Sequence, residues 1–536
     1  MHKRALILFA TLMFAFSGLI ARLYSLTQGV YADVAETQSS YTVTLATARG
    51  TLYDRSLNRL TNTGGGYAAA VLGTPAALAA FSDYYTEQEF ESLCARLAGG
   101  KPAVVTANEP LPLAQGISQY TVPHRYADSE LAVHIIGTLD ETGQGAGGAE
   151  RALNELLVKY SGALKVTYQT DGTGQVLSDS AATVENTLDK ANGGAALTID
   201  YNLQNAVQVL AGEKISRGAA VIMEIATGDV LAMASFPAYS PARIADYLER
   251  EDAPLFNRAT AAYNCGSVFK TVTAMAALES GTAPTQSFLC NGYVQVGENR
   301  IKCHHVLGHG QLTMAQGFAQ SCNPYFIGLS QQTGGSPLYR FASLLRFDSP
   351  ILLMNNWQTD RATLPAESTL SGTLLANVSI GQGDLLATPL HVAAMTACVA
   401  AGGEYRRPNL YYGEVNEQGV LTPTEREPAQ RVCSLKTAET LAGMMRAVVS
   451  EGTGKEAAPT VGTAAGKTGT AQTGWKSENG DTMVHSWFTG FYPAEQPQYA
   501  ITVLAEDSGT TGEDTASVFA LLCDTLYRQG FVKIPS

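Results

Sequence analysis

The chain is poor in charge, in cysteine and in repetitive sequence, and each shortage removes a class of protein. Charged residues make up 15% of its 536 positions and hydrophobic ones 45%, with no long low-complexity tract, which excludes a disordered polymer. That length exceeds one ordinary domain and predicts two or three folded units. Positive charge is the scarcer sign. The 35 Lys and Arg against 48 Asp and Glu leave a formal net charge of −13, so neither nucleic acid nor anionic lipid is expected as the main partner. Eight cysteines spread over such a chain do not form a disulfide scaffold. Residues 46–195 assemble no nucleophile, metal cluster or phosphate loop, so they read as a non-catalytic platform.

The N-terminus is not short of apolar residues. An uncharged run over residues 5–21 follows Lys3 and Arg4 and stops at Arg22; Leu23-Tyr24 extends it to a membrane span over 5–24, with Tyr24 at interfacial depth. The leading basic residues predict a cytoplasmic tail over 1–4 and everything beyond Arg22 outside, making a single-pass protein of the cell membrane with its bulk extracytoplasmic. A cleavable signal peptide competes, because Ala15-Phe16-Ser17 could serve as a cleavage site. The apolar run continues unbroken past that site, which favours a retained anchor.

A polar Thr/Ser-rich segment leads to about Ala46. The stretch Arg49-Gly50-Thr51-Leu52-Tyr53-Asp54-Arg55 then predicts a tight turn stapled by Asp54 with an arginine. Helices are expected over 83–100 and 149–160, the latter preceded by a flexible run over 142–148, and a strand over 164–169. The texture changes near Leu197. An amphipathic helix over 202–213 precedes apolar strands over 218–225 and 229–235, joined by Ala226-Thr227-Gly228 as a hairpin. A helix-like run covers 311–319, three strands are expected over 464–471, 485–492 and 499–505, and a last helix over 515–528. Hairpin, helices, three strands and helix together predict an α+β, α/β-layered fold with an antiparallel sheet and helices packed on its faces.

In the middle lies Asn264-Cys265-Gly266-Ser267-Val268-Phe269-Lys270. Ser267 is expected to open a helix running to Gly281, with Lys270 at i+3 on the same face. That helix is apolar nearly all round and therefore buried, which leaves Lys270 short of water and lowers its pKa. A serine followed at i+3 by a lysine is weak evidence alone, since a helix-capping serine with a surface lysine gives the same pattern. Two later stretches change its weight: Ser321-Cys322-Asn323, and Lys467-Thr468-Gly469-Thr470 on the first C-terminal strand.

This ordered trio resembles the S-x-x-K, S-x-N and K-T-G motifs of the penicillin-binding transpeptidases and serine β-lactamases. The likeness extends over about residues 46–530. It includes the 218–237 hairpin, Asn257-Arg258-Ala259 before the nucleophile, Gly381-Gln382-Gly383 with Thr388-Pro389, and Arg49-Gly50 with Asp54-Arg55, which is similar to the pedestal motif of the monofunctional class B branch. Nothing resembles the glycosyltransferase domain of class A. Two departures stand out: Cys265 where the family usually has Pro, and Ser56-Leu57 where Asn-Gly is usual. The resemblance implies an N-terminal pedestal, dimerisation-like, over 46–195 and a penicillin-binding transpeptidase domain over 197–536. It implies a peptidoglycan D,D-transpeptidase acting on D-Ala-D-Ala stem peptides, a target of β-lactam antibiotics, with a membrane-embedded glycan polymerase of the SEDS family as partner.

In that reading Ser267 is the nucleophile, Lys270 its base, Ser321 the relay to the leaving amine, and Asn323 orients the peptide amide. Lys467 supplies a positive field, and Thr468 and Thr470 bind the substrate carboxylate. The backbone N–H groups of Ser267 and Thr470 form the oxyanion hole, and Gly469 lets the strand approach substrate. A carboxypeptidase or β-lactamase on the same scaffold, and a β-lactam sensor, are the competing activities; a sensor would need several membrane spans or a cytoplasmic partner domain, for which a four-residue cytoplasmic tail leaves no room. Catalysis calls for no cofactor. Cys290, Cys303, His309 and Cys322, spaced C-x12-C-x5-H-x12-C, suit a structural zinc, and a Cys290–Cys303 disulfide with a surface His309 is the alternative. Glu367-Ser368-Thr369-Leu370 is only superficially similar to the β-lactamase deacylation loop. Cys94, Cys398, Cys433 and Cys523 read as small core residues.

Overall fold

The computed structural model describes residues 2–27, 39–126, 131–177, 181–476, 482–506 and 513–534. Most of the polar segment expected before Ala46 lies outside them. The N-terminal helix His2–Thr27 contains one segment, Lys3–Ser25, long and apolar enough to cross a membrane.

The rest divides into two compact units. One takes in Met1–Gly50, Asn62–Arg125 and Lys159–Asn192; the other takes in Thr51–Thr61, Tyr126–Val158 and Gly193–Ser536. The division does not fall at one point in the chain. Residues 51–61 and 126–158, within the span expected to form the pedestal, belong to the second unit. Thr51–Tyr53 pairs there in parallel with Gly194–Leu197 as the edge of a four-stranded sheet.

The first unit holds two three-stranded antiparallel sheets. Ser40–Ala48, Gly162–Gln169 and Thr183–Asn186 form one; Ala103–Ala107, Gly64–Val71 and Ile117–His124 form the other. The helix expected over 83–100 is Glu87–Leu97; a separate helix, Pro75–Tyr84, ends before it because Tyr85 is extended and Thr86 opens a capping box with Glu89. Arg125 donates from Nη1 to the carbonyls of Arg49 (3.1 Å) and Gly50 (2.7 Å).

The second unit is built on a five-stranded antiparallel sheet. Its strands are β1 (Gly218–Glu224), β2 (Val230–Phe236), β3 (Ala465–Lys476), β4 (Thr482–Tyr492) and β5 (Tyr499–Ala505), in the order β2-β1-β5-β4-β3. Alternate residues face opposite layers. Ala220, Ile222, Ile501 and Val503 pack with Leu203 and Val207 of α1 (Tyr201–Gly212) and with Phe519 and Leu522 of the C-terminal helix Glu513–Arg528. On the opposite face Met223, Ala500 and Leu504 meet the layer containing α2 (Lys270–Glu279) and the helix Pro389–Ala400. Burial on both faces explains why these strands are apolar runs rather than alternating ones. Each large side chain so enclosed contributes about 1.5–3 kcal/mol.

Three local expectations are corrected. The 149–160 helix breaks at Leu153 into Gly148–Ala152 and Asn154–Lys159. The run before it is an ordered turn, with Asp140 accepting from the N–H and hydroxyl of Thr142 and from the N–H of Gln144. Asp54 pairs with no arginine. Fully buried, it accepts from the N–H groups of Ser56 (2.8 Å), Asn58 (2.7 Å) and Tyr201 (3.0 Å) and from the Asn58 amide (2.9 Å), tying a turn to the first residue of α1. Four donors satisfy a buried carboxylate where a single cation would leave oxygen lone pairs unfilled. Leu57, at the position where glycine is usual in the family, takes φ +65° in this turn. Asp54→Ala orphans all four donors and is expected to lower unfolding free energy by about 3 kcal/mol, read from urea denaturation.

Candidate functional site

Ser267 does not open an α-helix. It lies in a 3₁₀ turn, Gly266–Phe269, that runs into α2. Gly266 enters the turn at φ +56°, its N–H donating to the Gly381 carbonyl at 2.9 Å. With three residues per turn, positions i and i+3 eclipse, and the Ser267 hydroxyl and Lys270 amine meet at 2.9 Å.

Ser321 and Asn323 come from the junction of two helices, α3 (Met314–Ala319) and α4 (Asn323–Thr333). The helix expected over 311–319 begins only at Met314, where Thr313 and Gln316 form a capping box, because Gly310–Leu312 pairs with Phe288–Cys290 as a strand. Ser321 takes φ +51°, a left-handed conformation that costs a non-glycine residue about 1–2 kcal/mol. It turns the Ser321 carbonyl onto Lys270 Nζ (2.7 Å) while the Ser321 hydroxyl stands 3.2 Å from the same nitrogen. Asn323 Oδ1 lies 2.6 Å from Lys270 Nζ. Lys467, on β3, reaches the Ser321 hydroxyl from the other side at 3.0 Å, and also lies 3.0 Å from the Thr468 carbonyl and 3.4 Å from its hydroxyl.

Both lysines are fully buried, beneath the rings of Phe326 and Phe318. Burial drives Lys270 down to about 7, and burial together with the charge of Lys270 holds Lys467 well below the ordinary lysine range. The donor count then distinguishes them. Around Lys270, the Ser321 carbonyl and Asn323 Oδ1 can only accept. A neutral amine satisfies them with its two N–H bonds and keeps its lone pair for the Ser267 hydroxyl proton. Lys467 faces three oxygens, the number an ammonium supplies with donors. The partners thus accommodate a neutral Lys270, with both hydroxyls free to turn toward or away from its lone pair, beside a charged Lys467.

β3 is the sheet's outer strand. Thr470 directs its carbonyl outward, where Gln382 Nε2 donates to it at 3.4 Å. In extended backbone the N–H of a residue shares the side of its carbonyl, so the Thr470 N–H also faces the Ser267 turn. Thr468 is half-buried and shares a hydroxyl bond of 2.8 Å with Thr453; Thr470 is exposed at the rim. Gly469 also serves the Ser267 turn. A Cβ there would overlap the Cys265 carbonyl and Val268, so its absence allows the strand and the Ser267 turn to meet. A Cβ on Gly381, at φ +76°, would likewise overlap the Gly266 carbonyl.

One supporting residue was not singled out from sequence. Trp487, opposite Gly469 on β4, donates from Nε1 to the Asn264 carbonyl at 3.1 Å. The Asn264 amide donates to the carbonyls of Gly383 (2.9 Å) and Leu385 (2.7 Å). The strand register that sets Trp487 beside a glycine is the one signal that could have marked it. Cys265 is fully buried, its thiol pushed up to about 12 by burial.

Cys290, Cys303, His309 and Cys322 converge, their ligand atoms all within 4.8 Å of one another. His309 Nδ1 lies 3.8 Å from Cys290 Sγ and 3.4 Å from Cys303 Sγ. Tetrahedral zinc needs sulfurs about 3.8 Å apart and a nitrogen slightly closer, so the donor set fits that ion. Burial, with the charges of His305 and Lys270, pushes His309 below the ordinary imidazole range, toward the neutral form that a ligand needs. Burial raises the Cys290 thiol, but hydrogen bonds from the His309 and Gly292 backbone and the Cys322 and Cys303 thiols outweigh it and favour thiolate. All eight cysteines are free, Cys94 half-buried and Cys398, Cys433 and Cys523 buried. Cys322 turns away from the cleft that Ser321 and Asn323 face.

Residues 218–524 match the family model of the penicillin binding protein transpeptidase domain. The chain is 31% identical over 428 residues to penicillin-binding protein PbpB of Mycolicibacterium smegmatis, covering 74% of this chain and 63% of that protein. It is 31% identical over 325 residues to the peptidoglycan D,D-transpeptidase PbpA of the same organism, covering 57% and 65%. It thus spans less than two thirds of the length of these curated relatives. In fold it is similar to penicillin binding protein 3 of Mycobacterium tuberculosis in its apo form, with a TM-score of 0.67 at 23% identity, covering 92% of this chain and 98% of that one. The architecture, the ordered motifs and the family match agree: the chain belongs to the penicillin-binding protein transpeptidase family, on its class B branch.

Proposed function

We propose that this protein is a membrane-anchored D,D-transpeptidase that cross-links peptidoglycan stem peptides through an acyl-enzyme on Ser267. One observation carries the reading. Groups from three distant segments gather around two buried amines, with Ser267, Ser321, Asn323 and Lys467 joined to one network within 3.2 Å. Neutral Lys270 takes the Ser267 proton as Oγ attacks the carbonyl of the penultimate D-Ala. The C–O bond forms, negative charge collects on the carbonyl oxygen, and the N–H groups of Ser267 and Thr470 receive it. The C–N bond to the terminal D-Ala then breaks, and the proton passes through Ser321 to the leaving amine. Lys467, Thr468 and Thr470 hold the terminal carboxylate, and Asn323 orients the peptide amide. An amine of a second stem peptide resolves the ester. A β-lactam, which presents a strained amide to the same hydroxyl, is an inhibitor in this scheme.

The helix Lys3–Ser25 is the anchor, with the catalytic unit extracytoplasmic. The pedestal and anchor form the face toward a membrane-embedded glycan polymerase of the SEDS family. The fold is similar to a chain of a peptidoglycan synthase complex that coordinates polymerization and crosslinking, which supports this partner. Cys290, Cys303, His309 and Cys322 would hold a structural zinc. Its contribution would be structural, since Cys290 ends the Phe288–Cys290 strand and Cys322 lies between Ser321 and Asn323, and it would supply no chemistry to acyl transfer.

Three measurements test these roles. Fluorescent penicillin is expected to label the protein stably and to leave Ser267→Ala unlabelled; labelling of that variant overturns the nucleophile, and rapid loss of label would mean a β-lactamase. The acylation rate is expected to climb about tenfold per pH unit below neutrality and to level off above pH about 7, as Lys270 loses its proton beside Lys467, Cys322 and Cys303. A flat profile contradicts a lysine base. Protein purified without chelators is expected to carry one zinc, lost in Cys290→Ser. Absence of metal, with Cys290 and Cys303 resisting alkylation, would establish the disulfide instead.

A further inference from the structure

The Ser267 turn is gripped from two sides. The Gly266 N–H donates to the Gly381 carbonyl at 2.9 Å, and Gly469 of β3 abuts the Cys265 carbonyl. Gln382 spans the same two supports. Its backbone is fixed, with the N–H donating to the Asn377 carbonyl at 3.0 Å, and its neighbour Gly383 accepts from the Asn264 amide at 2.9 Å. From there the half-buried side chain reaches β3, where Nε2 donates to the Thr470 carbonyl at 3.4 Å. Among the described residues this is the side chain's one hydrogen-bond partner. The Thr470 oxygen is enclosed on another side as well, since a Cβ on Gly266 would overlap it. The acyl-transfer scheme above leaves the Gln382 amide without a role.

That oxygen is the acceptor an incoming peptide needs. An extended chain laid against an outer strand binds through main-chain hydrogen bonds. In an antiparallel hydrogen-bonded pair, the two facing residues exchange both N–H···O=C bonds. In the scheme above, the carbonyl of the penultimate D-Ala accepts from the Thr470 N–H. The N–H of that same residue is then directed at the Thr470 carbonyl, where the Gln382 amide stands. With Gly266 against the oxygen, the two donors compete for one place. We propose that Gln382 determines specificity as a stand-in for the acyl donor's N–H, released from Thr470 only by a ligand that brings an N–H of its own. This role rests on the D,D-transpeptidase reading. A ligand with the N–H exchanges one hydrogen bond for another. A ligand without it leaves Gln382 in place or strands the carbonyl without a donor. The selection is therefore against ligands that lack the group, at the cost of a bond that every correct ligand must displace. No covalent bond changes in this exchange.

The test uses the full-length protein and two β-lactams. Fluorescent penicillin supplies the N–H from its acylamino group; penicillanic acid carries hydrogen in its place, and its acylation is read as protection from the label. In Gln382→Ala the acylation rate constant for penicillin is expected to rise about threefold, while that for penicillanic acid stays within about 1.5-fold of the parent. Gln382→Glu, equal in size but without a donor, is expected to raise the ratio of the two constants by the same factor. Taking the ratio cancels the effect of its charge, which both ligands feel. An unchanged ratio, a fall in it, or an equal change for both ligands overturns the assignment while leaving the transpeptidase intact. A parent protein that penicillin does not label removes the transpeptidase reading and the assignment with it.

Discussion

Two amines enclosed around one hydroxyl set the terms for the second unit. An isolated buried ammonium costs several kcal/mol of lost hydration, and two of them beside Ser321 repel one another as well. The structure offsets this with oxygen partners on every side and with aromatic rings above, and both amines come out below the ordinary lysine range. A lysine that loses its proton near neutrality can act as a base; one in water cannot. In the proposed reaction the apolar character of α2 is therefore part of the chemistry. Its buried faces exclude the water that would otherwise restore charge to Lys270.

Bringing three segments this close depends on backbone as much as on side chains. β3 can approach the Ser267 turn because position 469 carries no side chain, and the turn is held from behind by the Gly381 carbonyl and by Trp487 on the Asn264 carbonyl. Ser321 accepts a left-handed conformation that a serine ordinarily avoids, and its neighbour Cys322 points into the four-residue cluster. Strain at Ser321 and convergence at Cys322 are two sides of one junction. The cluster over-determines a backbone that local preference would not choose.

What could be read from the sequence follows the range of the interactions concerned. The strands of the central sheet were legible because burial on both faces writes continuous apolar runs, and the three motifs that meet around Lys270 because the chemistry proposed for them restricts residue type. The cysteine–histidine set was legible by spacing. Features decided by distant partners were not. The break at Leu153, the pairing of Thr51–Tyr53 with Gly194–Leu197, and the use of Asp54 by backbone donors of a helix 147 positions away have no local signature. The 3₁₀ turn at Ser267 was missed for the same reason. Its tightness comes from Gly381, far along the chain, and not from any helix propensity of its own residues.

The outward edge of β3 has a consequence for how the molecule coexists with its own copies. A bare edge strand invites another chain to add to it, the first step toward clumping. Here the stretch beside the cleft is interrupted: the Gly266–Phe269 turn crowds positions 469 and 470, and Gln382 engages the Thr470 carbonyl. The open hydrogen-bonding row is consequently broken where it borders the cleft. The crowding that shapes the cleft thus also hinders another copy from adding a strand at that stretch of the edge.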